Sequence, residues 1–96
     1  MADPVWRVRD PSSLRLRRWD RDFVAFHIAS GDTHLFDPAL GLALEHLLDQ
    51  PATLATLAAH VAERTELDNG PELELHLVEA LGQLQEMGLL VRDGGA

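Results

Sequence analysis

Five histidines, at positions 27, 34, 46, 60 and 76, are the residues best suited to chemistry in this 96-residue chain. Cysteine is absent, which removes disulfides and thiolate metal sites. Two of the histidines lie in FVAFHIASGDTHLFDP (23–38), where short apolar runs flank a turn. With residues 29–32 as the loop, Ile28 pairs with Thr33 and His27 faces His34, near enough to share an ion. Spacing fixes no third ligand, and metal sites use three or four. No metal and no cofactor are expected. Ser30, Asp32 and His34 are the residue types of a catalytic triad, but a hairpin tip holds no base against a nucleophile. Turn chemistry accounts for Ser30, Gly31 and Asp32. There is no phosphate loop or dinucleotide fingerprint. No catalytic residue is assigned, and the chain reads as a non-enzyme.

The elements around these residues follow from periodicity. In SLRLRRWD (13–20), Leu14 and Leu16 alternate with Arg15 and Arg17, the pattern of a strand with one wet face. Residues 23–28 and 33–36 are the two arms of a hairpin. VWRVR (5–9) alternates too, but Pro4 and Pro11 restrict it to a short edge segment. Trp19 and Phe23 are expected to anchor the sheet to the helices. Asp37-Pro38 pairs a good N-cap with a residue whose missing N–H is harmless at N1. A helix follows to about residue 50, with Leu40, Ala43, Leu44, Leu47 and Leu48 on one face. Thr53 caps a second helix, which buries Leu54, Leu57, Ala58, Val61 and Ala62. Pro71 opens a third that runs to about Met87, and Gly88 ends it. LLV (89–91) forms a last short strand, and residues 93–96 a frayed tail.

The predicted fold class is α+β: winged-helix-like, a three-stranded antiparallel sheet followed by three helices. One domain over residues 1–96 is expected, with its ordered core at 6–92. No stretch approaches the ~20 apolar residues of a membrane span, and MADPVWRVRD lacks the apolar run of a signal peptide. A cytoplasmic location is the expectation. The net charge of −8 is unevenly placed: residues 1–21 carry +3 and residues 22–96 carry −11. An acidic helical region would repel phosphate, which argues against nucleic acid as a partner.

Two features point to a binding surface. On the third helix, Leu73, Leu77, Ala80, Leu84 and Met87 form a core stripe with Leu81 at its edge, while Leu75, Val78 and Gly82 make a second apolar stripe nearly opposite. Such a stripe is either buried or a groove left open. The strand Thr33, His34, Leu35, Phe36, as the last arm of a meander, leaves one row of backbone groups unpaired. An extended peptide could join that edge as a further strand.

The stretch LRLRRWDRDFVAFHIASGDTHLFDP, then a leucine-rich helix, then TLATLAAHVAE, and a final helix ending LQEMGLLV resembles the PqqD family. These are small peptide chaperones with the RiPP recognition element fold. Trp19, Asp20, Phe23, Val24 and Ser30 to Pro38 (W-D-x-x-F-V, then S-G-D-T-H-L-x-D-P) look like the subgroup of the HPr-rel-A system. The resemblance covers roughly residues 6–92. It implies three antiparallel strands followed by three helices. It also implies binding of a precursor's leader peptide between the third strand and third helix, for presentation to a modifying enzyme. By position, Thr33, His34, Leu35, Phe36, Leu75, Val78 and Gly82 match that peptide site. The implied partners are the leader peptide and an enzyme, radical-SAM or HPr-kinase-related; a homodimer is a further expectation. The alternatives are a winged-helix DNA-binding regulator and a self-associating structural subunit.

Overall fold

The computed structural model describes residues 3–94 and shows an α+β fold with two small antiparallel sheets and three helices. The first sheet is the expected meander, built from β2 (Leu14–Trp19), β3 (Asp22–His27) and β4 (Asp32–Phe36) in that order. Period 2 sorts its side chains. Leu14, Phe23, Ala25 and Phe36 are buried on the inner face, while Arg15, Arg17, Trp19, Phe26 and Leu35 lie exposed on the outer.

A second sheet was not expected. It has the order β5-β1-β6, from β1 (Val5–Val8), β5 (Ala52–Thr53) and β6 (Leu90–Asp93). The edge segment of the sequence reading is therefore its central strand. Pro4 and Pro11 lie outside β1, so neither removes a donor from the ladder. The last strand starts one residue later than expected and runs through Asp93, which pairs with Val5. Asp93 also accepts a 2.6 Å bond from Arg7 Nε, so it belongs to the sheet and not to a frayed tail. Residues 95–96 of that expected tail, and residues 1–2 of the expected domain, lie outside the described residues.

The hairpin register also differs. His27 pairs with Asp32 and Ala25 with His34, so the two histidines are not opposite each other. Gly31, at φ 77, closes the turn through its N–H to the His27 carbonyl at 2.8 Å. Ser30 Oγ sits 2.8 Å from His27 Nδ1 and accepts from the Asp32 N–H, locking the loop one residue earlier than expected.

Helix α1 (Pro38–Asp49) packs against both sheets and both other helices, α2 (Leu54–Arg64) and α3 (Pro71–Glu86). Its first half is buried nearly all round, Ala39 to Leu44 without interruption, and is not limited to one stripe; Leu48 is only partly buried. Gly41 is required there. A Cβ on it would collide with the Phe23 ring. Thr53 caps α2 as expected, accepting from the Thr56 N–H. Gly88, at φ 83, ends α3, with Leu89 N–H bonded back to the Leu84 carbonyl.

The core joins both sheets to all three helices. Phe23 is buried in it, but Trp19 is 70% exposed. Trp19 shares the parity of Arg15 and Arg17, which places it on the outer face. Trp6, at the centre of the second sheet, is the buried tryptophan.

His46 on α1 and His60 on α2 meet with ring centroids 4.8 Å apart, and both Nε2 atoms are inaccessible and unpartnered. Burial, then repulsion from Arg64 and His46, holds the His60 imidazole below the ordinary histidine range. A base with a lowered folded pKa takes up protons more readily when unfolded. Stability should therefore be complete above the unfolded value of about 6.5 and fall as the pH drops below it.

Two predictions follow from this packing. Phe23→Ala should cost ~3–5 kcal/mol, whereas Trp19→Ala should stay within ~0.5 kcal/mol. Gly41→Ala should destabilise by ~1–3 kcal/mol through overpacking, although alanine is the better helix former; urea unfolding measures all three. Separately, thermal melts should show Tm falling from about pH 7.5 to about pH 5.5, with a shallower fall in His60→Gln.

Candidate functional site

Strand β4 pairs with β3 on one side only, so its other side is a sheet edge. The hydrogen-bonding phase of β3 determines which groups are free. Ile28 N–H bonds the Ser13 carbonyl, on the β2 side, at 2.7 Å. Alternation then turns the odd residues of β3 toward β4, where Phe23, Ala25 and His27 meet Phe36, His34 and Asp32. The backbone groups of Thr33 and Leu35 consequently point outward.

Beside this edge runs a groove of about 510 Å³ between β4 and α3. Thr33 to Phe36 form one wall, and His76, Glu79, Ala80 and Gln83 of α3 with its C-cap Met87 form the other, over Leu40 and Leu84. The His34 and Phe36 rings lie parallel, with centroids 6.0 Å apart, on the inner face. At one end His76 Nε2 meets Asp37 Oδ2 at 3.0 Å, while Asp37 Oδ1 accepts from the Leu40 N–H at 2.8 Å. One carboxylate thus caps α1 and ties α3 beside it.

The structure brings together four of the seven expected site residues, Thr33, His34, Leu35 and Phe36. Leu75, Val78 and Gly82 do not line this groove. Val78 is half-buried against the core, and Leu75 is 58% exposed on the back of α3. Met87, assigned to the core stripe, is instead an exposed member of the groove wall. The reason is angular. The buried line of α3 is Leu73, Leu77, Leu81 and Leu84. At 100° per residue, residues 76, 80, 83 and 87 fall on one flank of that line and 78 and 82 on the other. The flank facing β4 is the more polar one, so hydrophobicity alone selected the flank turned away from β4. The chain offered one local signal, the row 76-79/80-83-87 at helical spacing.

Among the described residues, no group of three or more histidines and carboxylates is placed to hold a metal, and no helix is long and apolar enough to cross a membrane. No family model matches the chain, and no curated protein matches it. Among solved structures, it superimposes on TbiB1 in complex with the TbiA(beta) leader peptide. The TM-score is 0.68 over 94% of this chain and 98% of that one, at 19% identity. The chain shares the TbiB1 fold.

Two measurements check the geometry. In the free protein, the Thr33 and Leu35 amides should exchange with deuterium much faster than those of His34 and Phe36, which are paired to β3. Val78→Glu should lower stability by ~1–3 kcal/mol because its carboxylate must leave the core's edge.

Proposed function

We propose that this protein is a non-catalytic adaptor that captures the leader of a ribosomally made precursor peptide. The leader adds as a strand to the free edge of β4 and is presented to a modifying enzyme. The outward Thr33 and Leu35 backbone groups beside the α3 groove carry this reading. Strand addition draws affinity from main-chain hydrogen bonds and selectivity from alternate side chains. A fold shared with a protein solved around a leader peptide supports it. So does the resemblance of residues 19–38 to the HPr-rel-A subgroup of PqqD-like proteins, which makes the partner enzyme HPr-kinase-related or radical-SAM.

The groove wall is accordingly reassigned. Thr33 to Phe36 remain the peptide-pairing strand, and His76, Ala80, Gln83 and Met87 replace Leu75, Val78 and Gly82 opposite it. DNA recognition is the weaker reading, because α3 carries Glu72, Glu74, Glu79 and Glu86 and no arginine.

Ligands for the test are peptides translated from any short open reading frames that sequencing finds beside the gene. Gln83 is exposed on the groove wall, so Gln83→Trp should fill the groove with a stability change within ~0.5 kcal/mol. Calorimetric titration should show leader affinity reduced by about tenfold or more, the scale of ~1.4 kcal/mol. Unchanged affinity in Gln83→Trp would refute the site. A dimer that forms with concentration and dissociates on adding peptide would show the same edge pairing with itself.

A further inference from the structure

The groove carries a charge pattern that limits which peptides it can accept. The chain has no lysine, and no arginine lines the groove. Asp37 is committed to the α1 cap and His76. Glu79 is different: it is exposed on the groove wall and has no ion-pair partner among the described residues. Every other wall position is apolar or uncharged, apart from the two histidines.

Past the Asp37–His76 bridge, the groove opens into a wider cleft of about 1700 Å³ that shares those two residues. Six carboxylates line it, among them Asp20, Asp68 and Glu72, against three guanidiniums. Two of the three are already engaged outside the cleft: Arg18 with Glu45 at 3.2 Å and Arg64 with Glu63 at 3.6 Å. The cleft is therefore net negative, as is the whole of residues 22–96 at −11. A strand overrunning the Phe36 end of β4 must pass through it.

Resting on the peptide-binding reading of this groove, we infer that its ligand is a basic extended peptide. It presents apolar side chains at every second position toward Leu40 and Ala80, a lysine or arginine opposite Glu79, and further positive charge in the flank beyond Phe36. Acidic peptides are excluded by like charge with no cation in the groove to offset it. Glu79 is the specificity-determining residue.

The test selects binders from a phage library of random peptides long enough to span β4, using the full chain. Selected peptides should be enriched in lysine and arginine and depleted of aspartate and glutamate. Their affinity should fall between about 0.05 M and about 0.5 M salt. Glu79→Lys should weaken a selected basic peptide about tenfold, the scale of replacing an attractive exposed pair by a repulsive one. Glu74→Lys, the same charge change on the opposite flank of α3 and outside both the groove and the cleft, should leave it unaltered. Selection of acidic or charge-neutral peptides that slow exchange at Thr33 and Leu35 would overturn the inference and leave the peptide site standing. Equal effects of the two lysine variants would also overturn it, since net charge would then suffice. Selected peptides that leave the Thr33 and Leu35 amides unprotected would overturn the peptide site itself.

Discussion

Asp37 divides its carboxylate between two helices, one oxygen on the Leu40 N–H and the other on His76. The first bond starts α1 directly after Phe36, with Pro38 already in helical φ. Because the chain leaves the sheet at that point, no further strand follows β4 and its edge remains open. The second bond ties α3 to the same junction, so helix and edge run side by side. Both partners of the second bond are about half exposed, so its strength is modest and its value is positional. The width of the groove depends on this junction together with the packing of Leu77, Leu81 and Leu84 beneath it.

An open edge is an aggregation hazard unless something blunts it. β4 is only five residues long, begins at the charged Asp32 and is followed directly by Asp37. The outer face of the same sheet is less guarded, with Leu35 69% and Trp19 70% exposed. A strand added to β4 would extend this face as well as fill the groove. Peptide and protein would then share one continuous surface, as the proposed presenting role requires.

Much of this was legible in the chain. Asp37-Pro38 marked the start of α1, Thr53 the start of α2 and Gly88 the end of α3, because each is a local steric or hydrogen-bonding signal. The β2-β3-β4 meander followed from alternation. VWRVR and LLV read as strand segments, but the sheet they share was not legible, since β1, β5 and β6 are remote in sequence and two to four residues long and only tertiary contacts pair them. Trp19 was misplaced by its size, although its parity with Arg15 and Arg17 gave the correct face. The β4 half of the expected site came from topology, and Thr33 to Phe36 do form an open sheet edge beside a groove. The α3 half came from hydrophobicity and fell on the opposite flank, where Val78 serves the core. A groove that binds backbone has little need for an apolar stripe, and its polar wall looks from sequence like ordinary helix surface.

The account stands or falls on main-chain pairing at two residues. NMR couplings transmitted across hydrogen bonds, measured between ¹⁵N-labelled protein and a bound leader peptide ¹³C-labelled at its carbonyls, report it directly. The account predicts couplings from the Thr33 and Leu35 amide nitrogens to peptide carbonyls, and none from His34 or Phe36. A tightly bound peptide with no coupling at Thr33 or Leu35, and shift changes confined to the helices, would contradict strand addition at β4.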